Sequence, residues 1–251
     1  MIELIDLEKK FGEVAAVDGI NLSVPRGEFL AVLGPNAAGK TTTIRMITGL
    51  IKPTSGKVSV AGFDLRSDPL EARRRMAYVP DFPFLYDKLT PSEFLRFIGQ
   101  LFHLSESAID RSSGDLIDRF SLAPFLHKPI EGLSHGTRQR VAIVSALLHD
   151  PEVFVIDEPM VGLDPYHARV VKDALKERSR KGMTVFLSTH QLSVAEEMAD
   201  RIAIIHQGRI VAIGTRDELR QQSGASGPLE QTFLALTSQE ANLTEENAAV
   251  R

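Results

Sequence analysis

A short glycine-rich segment, Gly34 to Thr42, carries the residue types that bind phosphate. It reads Gly-Pro-Asn-Ala-Ala-Gly-Lys-Thr-Thr and fits the P-loop pattern G-x-x-x-x-G-K-[ST]. Glycines let backbone N–H groups turn toward phosphate oxygens. The Lys40 ammonium is predicted to reach the β- and γ-phosphates, and the Thr41 hydroxyl to hold Mg²⁺. A chance glycine-rich turn is the alternative. The predicted nucleotide ligands are Gly34, Pro35, Asn36, Ala37, Ala38, Gly39, Lys40, Thr41 and Thr42.

Two adjacent carboxylates follow an apolar run further along the chain. Pro151 to Ile156 predicts a strand buried in a parallel sheet, and Asp157 and Glu158 come directly after it. Placing two carboxylates at the carboxyl end of a central strand costs free energy unless they bind a ligand or an ion. This Walker-B arrangement predicts that Asp157 anchors Mg²⁺ and that Glu158 polarises an attacking water molecule. A solvated turn with two acids is the alternative.

A histidine ends a third apolar run. Met183 to Leu187 predicts another buried strand, and His190 follows shortly after it. Ligands of open α/β sheets bind at the carboxyl ends of the strands, so His190 is placed to reach a γ-phosphate. A lone histidine more often has a structural role, and that alternative stays open.

Strand and helix patterns surround these groups. Phe29 to Leu33 predicts the strand that enters the P-loop, and helical spacing follows the loop. Alternating residues predict strands at Ile2 to Leu7 and Lys57 to Ala61, and Arg201 to Ile213 predicts a β-hairpin with a glycine turn. The succession indicates an α/β fold around a P-loop core.

Two further segments carry weaker patterns. Val14 to Val24 predicts one or two strands with a turn at Asp18-Gly19. Ala72 to Met76 predicts a short basic helix, and a short buried strand is expected from Met76 to Pro80.

Helical spacing dominates from about residue 82 to residue 150. Thr90, Pro91 and Glu93 form the pattern of a capped helix start. Ser134 is placed as the N-cap of a later helix whose apolar body is Val141 to Leu148. That N-terminus is either a plain capped helix or an anion site. We therefore predict a helical subdomain inserted at about 82–150.

Composition narrows the classes of partner. The 251 residues include no cysteine, so disulfides and thiolate metal sites are excluded. The net charge of −4 and the pI of about 6.0 do not show the excess of positive charge that is typical of nucleic-acid-binding proteins. No apolar stretch approaches the roughly 18 residues that span a bilayer, so we expect any action at a membrane to pass through another protein.

The order of these motifs resembles that of one family, the nucleotide-binding subunits of ATP-binding cassette (ABC) transporters. The resemblance covers about residues 2–220 and rests on the P-loop, the helical insert, Leu133 to Gln139, the acid pair and His190. It implies a P-loop NTPase core with an antiparallel β subdomain and an inserted helical subdomain. The cassette domain would span 1–220, and a partly flexible C-terminal extension would span 221–251. The tail from Pro228 to Thr237 looks like that of exporter-type members.

The resemblance also assigns roles outside the P-loop. The segment Leu133 to Gln139 resembles the family's signature sequence, which binds ATP held by the opposite subunit. Asp164 lies in a segment that resembles the loop crossing the dimer interface. Phe11 matches the aromatic residue that stacks on adenine, and His190 matches the switch histidine. The implied ligands of the opposite subunit's ATP are Ser134, His135, Gly136 and Gln139.

Three residues depart from the family pattern. Asp81 stands where the family usually has glutamine; it keeps an oxygen for Mg²⁺, loses the amide donor and adds negative charge. His135 and Thr137 stand where the signature usually has glycine and glutamine. Ser134 and Gly136, the phosphate-facing pair of the signature, are kept, so we expect activity to survive.

The resemblance implies an ATPase that dimerises head to tail around two Mg-ATP and powers a separate transmembrane permease, in the direction of export. Glu158 and His190 would be catalytic, and the metal ligands would be Thr41, Asp81 and Asp157. The loop from Asp81 to Leu85 would transmit the movement. The candidate docking residues for the permease are Phe82, Phe84 and Tyr86.

The protein would then lie at the cytoplasmic face of a bacterial cell membrane, held there by the permease, with no nucleic-acid partner. A soluble ABC ATPase acting on DNA or ribosomes is the alternative. A P-loop kinase is a third reading, but it leaves the signature segment and His190 unexplained.

Overall fold

Two β-sheets form the frame of the computed structural model, which describes residues 1–224 and 228–238. A six-stranded sheet has the order β10-β9-β3-β8-β7-β6, and a four-stranded sheet has the order β2-β1-β4-β5. The strands are β1 (Ile2–Phe11), β2 (Val14–Val24), β3 (Phe29–Leu33), β4 (Ser55–Val60), β5 (Phe63–Asp64), β6 (Met76–Val79), β7 (Val153–Asp157), β8 (Thr184–Thr189), β9 (Arg201–His206) and β10 (Arg209–Gly214).

Parallel pairing in the larger sheet brings the predicted chemical groups to one edge. β9, β3, β8, β7 and β6 pair in parallel, and β10 pairs antiparallel with β9. The carboxyl ends of β3, β7 and β8 therefore meet at the same edge of the sheet. The P-loop follows β3 at that edge, the acid pair lies at the end of β7, and His190 follows β8.

Two apolar cores cover the faces of the larger sheet. Alternate residues of β3 enter different cores: Phe29, Ala31 and Leu33 enter one, and Leu30 and Val32 enter the other. This period of two is that of a strand buried on both faces. The four-stranded sheet packs against the larger sheet through the second core.

Helices cover the remaining surfaces of the sheets. They are α1 (Lys40–Ile47), α2 (Pro69–Arg74), α3 (Pro91–Leu101), α4 (Glu106–Arg119), α5 (His135–Leu147), α6 (Pro165–Arg180), α7 (Leu192–Met198), α8 (Arg216–Ser223) and a last helix, α9, over 229–238. No helix among residues 1–224 and 228–238 is long and apolar enough to cross a membrane.

Two predicted helix starts are confirmed in detail. Thr90 caps α3 with a capping box: its Oγ1 accepts from the Glu93 N–H at 3.3 Å, and Glu93 Oε2 accepts from the Thr90 N–H at 2.8 Å. Ser134 caps α5 through the Thr137 N–H at 3.3 Å. α3 packs on α4 and on α5, while α5 also packs against β6. The division into a cassette and an inserted subdomain stays a prediction.

Two local predictions are wrong. The basic helix spans Pro69–Arg74 instead of beginning at Ala72, because Pro69 suits a first helical turn and Met76 already belongs to β6. β2 runs through Asp18 without a turn, because Gly19 takes a φ of 68° and the pairing register with β1 shifts there.

The C-terminal extension begins with packed structure. Leu229 and Leu236 of α9 are buried in the same core as Leu219 of α8. The extension is predicted to be partly flexible over 221–251, and its residues 225–227 and 239–251 lie outside the described residues.

A buried histidine makes stability depend on pH. The His149 ring stacks on Phe102 with centroids 3.6 Å apart, and both its ring nitrogens are buried. Burial lowers the pKa of His149 from 6.5 to about 4, against the smaller opposing effects of the Met76 backbone and the Asp150 charge. Between these values the unfolded chain binds a proton that the folded chain does not, so the stabilisation is present above pH 6.5 and is lost as pH falls toward 4.

We expect His149→Phe to flatten this part of the stability profile. The lost stabilisation amounts to about 3 kcal/mol at full protonation, and phenylalanine keeps the stack on Phe102. Urea unfolding of both proteins between pH 7 and pH 4 measures the difference, with His127→Phe as an exposed-histidine control. Parallel pH profiles for His149→Phe and the original chain would contradict the assignment.

Candidate nucleotide-binding site

The P-loop joins β3 to α1 through a backbone that excludes larger side chains. Gly39, the residue before α1, has a φ of 107°, and Ala37 has a φ of 63°. A Cβ on Gly34 would overlap the Ile205 carbonyl oxygen, and one on Gly39 would lie 2.7 Å from the Ala16 carbonyl oxygen. The loop is therefore pressed against neighbouring backbone, and its remaining face is available to a ligand.

Lys40 places a nearly buried ammonium group inside this loop. Its side chain is only 7% exposed, and Nζ donates to the Gly34 carbonyl at 2.7 Å and to the Pro35 carbonyl at 2.9 Å. Burial lowers the pKa of Lys40, while the charges of Glu158 and Asp157 oppose that shift. The cation is thus held beside the acid pair, as the spacing of the motif predicts.

Oxygen ligands suited to Mg²⁺ lie together at the ends of β7 and α1. Thr41 Oγ1 donates to Asp157 Oδ2 at 3.1 Å, and Ser188 Oγ donates to Asp157 Oδ1. Hydroxyl and carboxylate oxygens are what this hard cation prefers, so Thr41 and Asp157 fit the predicted metal role. Sequence reasoning gave Ser188 no role, although a hydroxyl at the end of a buried strand was the available signal.

Glu158 and His190 form a direct pair. Glu158 Oε1 accepts from the His190 backbone N–H at 2.8 Å and from Nδ1 of the ring at 2.7 Å. Thr189 Oγ1 donates to the other carboxylate oxygen at 3.1 Å. Glu158 has a φ of 45°, an uncommon value for a residue with a side chain, and its own N–H donates to the Ser188 carbonyl at 3.0 Å. Because Nδ1 is committed to Glu158, only Nε2 of His190 remains for another group.

Asp81 lies near this group at the end of β6. Burial raises the pKa of Tyr78 to about 12, and the charges of Asp157 and Asp81 add to that shift. Both carboxylates therefore act on the same phenol. Asp81 is exposed, in keeping with a role at the edge of the predicted metal site.

Other predicted residues gather at the N-termini of α5 and α6. Ser134 is exposed as the cap of α5, and a Cβ on Gly136 would lie 2.6 Å from the Gly162 carbonyl oxygen. The His135 ring packs against Phe82, with centroids 5.5 Å apart, and fills the space beside Gly162. Asp164 caps α6. The signature segment and the predicted interface loop are thus in contact within one chain.

Two predicted nucleotide ligands have contrasting environments. Phe11 ends β1 with its ring 54% exposed and the Lys9 ammonium 5.1 Å from the ring centre. Gln139 is fully buried, and its amide atoms have no hydrogen-bond partner among the described residues. Phe11 is accessible to a flat ligand, whereas Gln139 faces the protein interior.

The family is established by comparison with known proteins. A protein-family sequence model described as "ABC transporter" matches residues 17–161, more than half of the chain. A second family model, described as "AAA domain, putative AbiEii toxin, Type IV TA system", matches residues 128–196. The chain belongs to the ABC transporter family.

Curated relatives include resistance proteins. The chain is 36% identical over 240 residues to "Probable multidrug ABC transporter ATP-binding protein YbhF" of Escherichia coli, covering 94% of this chain and 41% of that protein. It therefore spans less than half the length of that relative. It is 34% identical to "Linearmycin resistance ATP-binding protein LnrL" of Bacillus subtilis, covering 92% of this chain and 75% of that protein.

Solved structures share the fold. "Structure of ATP binding subunit of ABC transporter" superposes with a TM-score of 0.90 at 37% identity, covering 94% of this chain and 99% of that one. A dimeric post-hydrolysis cassette bound to ADP and Pi superposes with a TM-score of 0.79 at 28% identity, covering 86% and 98%. The predicted fold class, a P-loop NTPase cassette, is confirmed.

Proposed function

We propose that this chain is the ATP-hydrolysing subunit of a membrane transporter. The observation that carries the proposal is the convergence of Lys40, Asp157, Glu158 and His190 at one edge of the sheet, beside a loop shaped for phosphate. Phosphoryl transfer to water uses groups of these kinds: a cation, a metal ligand, a base and a residue that positions the phosphate.

Each residue has a defined task in this reaction. Glu158 accepts a proton from the water that attacks the γ-phosphorus, while the bond from that phosphorus to the bridging oxygen breaks and ADP leaves. Hydrogen bonds from Thr189 and His190 fix the two Glu158 oxygens. Lys40 stabilises the negative charge on the transferred phosphoryl group. The pair of Glu158 and His190 keeps the carboxylate at the phosphate side of the sheet.

Mg²⁺ completes the site in this proposal. Thr41 and Asp157 would hold it, with Asp81 at its edge. When bound, the ion offsets the charge of the phosphate oxygens. The donors already lie together, since Thr41 and Asp157 share a hydrogen bond.

A second copy of the chain would complete the nucleotide site. Ser134 is exposed at the N-terminus of α5, where a phosphate is favoured by free N–H groups and by the helix dipole. A head-to-tail homodimer would place Ser134, Gly136 and Asp164 of one copy against the P-loop of the other, with two equivalent ATP sites. The dimeric post-hydrolysis cassette with the same fold supports this arrangement.

The loop after β6 is the proposed docking surface for the permease. Phe82 is 70% exposed and Phe84 is 90% exposed. Exposing two neighbouring aromatic rings to water is unfavourable and is typical of a protein interaction site. The relatives YbhF and LnrL are named for multidrug transport and linearmycin resistance. We extend this to export by the present chain, at the cytoplasmic face of a bacterial membrane.

Purification from membranes tests the transporter assignment. The tagged chain, extracted from membranes of its source cells in mild detergent, is expected to bring along one polytopic membrane protein at equal stoichiometry. Mass spectrometry identifies that partner. Recovery of ribosomal or DNA-repair proteins, with the chain missing from the membrane fraction, would favour the soluble alternative.

Asp81→Gln is expected to change the coupling to the permease. Glutamine restores an amide donor and removes a charge near Tyr78 and Asp157, while an oxygen for the metal stays. One such hydrogen bond corresponds to roughly a two- to tenfold effect, so we expect permease-stimulated ATPase to rise by about threefold with little change in basal rate.

ATPase assays with and without the permease in proteoliposomes measure this ratio. Asp115→Asn, an exposed carboxylate of α4, is the matched control. If Asp81→Gln leaves both basal and stimulated rates unchanged, Asp81 has no part in coupling.

A further inference from the structure

Arg140 is a nearly buried cation that no role has so far explained. It lies on α5 with 5% of its surface exposed. Its Nη1 donates to the Phe120 carbonyl at 2.6 Å, Nη2 donates to Thr137 Oγ1 at 3.1 Å, and Nε donates to the Gly136 carbonyl at 3.3 Å. Nη1 also lies 2.9 Å from Nε2 of His167 on α6. The guanidinium therefore ties the first turn of α5 to another helix.

The tautomer of His167 follows from this contact. A guanidinium has donors and no acceptor, so His167 Nε2 must accept from Arg140. Its proton is then on Nδ1, which donates to Asp164 Oδ2 at 2.5 Å. The other carboxylate oxygen accepts from the His167 backbone N–H at 3.0 Å. His167 is thus a neutral bridge between a cation on α5 and the carboxylate that caps α6.

The same chain of hydrogen bonds reaches Ser134. Thr137 Oγ1 accepts from Arg140 and lies 2.9 Å from Ser134 Oγ, which also accepts from the Thr137 N–H at 3.3 Å. If Thr137 donates its hydroxyl proton to Ser134, the proton of Ser134 is left for an incoming phosphate oxygen. An unbroken path then runs from Asp164 through His167, Arg140 and Thr137 to Ser134.

We propose that His167 is a positioning residue that couples Asp164 to Ser134 within one subunit. It holds the first turn of α5 in a fixed position relative to Asp164, so that Ser134 and Asp164 contact a second copy of the chain together. The consequence for dimerisation rests on the proposed function, but the coupling itself is a property of the single chain.

Ring packing is the competing explanation, since His167 also touches Tyr166 edge-on with centroids 5.1 Å apart. Two variants separate the explanations. His167→Phe keeps a ring but removes both hydrogen bonds, whereas His167→Gln offers an acceptor to Arg140 and a donor to Asp164 without a ring. His127→Phe is an exposed control.

Hydrogen exchange of the monomer, followed by mass spectrometry, reads the coupling directly. Peptides from the first turn of α5, over 134–140, are expected to exchange about threefold faster in His167→Phe. His167→Gln should lie between that variant and the original chain. Original-like exchange in His167→Phe, or equal acceleration in both variants, would overturn the proposal.

The effect of His167 on dimer formation is measured with Mg-ATP in chains that also carry Glu158→Gln. His167→Phe is expected to raise the protein concentration at half-dimerisation by about tenfold, and His167→Gln by less. Unchanged dimerisation in His167→Phe would reject the consequence for dimerisation and leave the proposed function standing. If the Glu158→Gln parent does not dimerise, the proposed function fails, and the exchange result still decides the coupling.

Discussion

Glu158→Gln is expected to lower ATP turnover by at least about 100-fold, the usual contribution of a positioned general base. The amide keeps the size of the side chain but cannot take a proton, and it presents only one oxygen to the donors of Thr189 and His190. ATP binding should be preserved, because the P-loop and Lys40 are untouched.

Steady-state phosphate release and ATP titration measure the two quantities separately. Glu152→Gln is the matched control, since Glu152 immediately precedes β7 at the opposite end from Glu158 and pairs with Arg75 at 3.4 Å. Turnover within about threefold of the original chain would exclude Glu158 as the base.

Lys40→Met is expected to weaken ATP binding by about 100-fold. The substitution keeps the length of the side chain and removes a nearly buried charge that lies between the loop carbonyls and the acid pair. Charge-assisted hydrogen bonds to phosphate are among the stronger contacts in proteins, and 100-fold corresponds to about 2.7 kcal/mol.

Isothermal titration with Mg-ATP measures this loss. Lys57→Met, at an exposed lysine of β4, is the control. A thermal unfolding scan separates lost binding from lost structure. Equal affinity in Lys40→Met and the original chain would remove the P-loop from the site.

The sheet and the phosphate edge could be predicted because their signals are local. β3, β7 and β8 each contain an apolar run, and the P-loop, the acid pair and His190 follow these runs in turn. Parallel pairing then places Lys40, Asp157 and His190 together without any detail of packing. The hydrogen bonds of Thr41 with Asp157 and of His190 with Glu158 lie at this edge, where the motif order predicts them.

The remaining features depend on contacts between distant segments. Gln139 looks like a ligand by its position in the signature segment, but α5 packs into the core and buries it. The bridge from Asp164 through His167 to Arg140 needs the crossing of α5 and α6, which no spacing in the chain reveals. The start of α2 differs from the prediction because Pro69 suits the first helical turn and the helix begins before the basic residues.

Sedimentation velocity of Glu158→Gln tests the central claim most directly. The claim is that two copies close around two Mg-ATP, with the P-loop of one facing Ser134 of the other. We expect a monomer without nucleotide and a dimer with Mg-ATP, while the double variant Lys40→Met/Glu158→Gln stays monomeric. A Glu158→Gln chain that stays monomeric with saturating Mg-ATP, or one that dimerises equally without it, would contradict the claim.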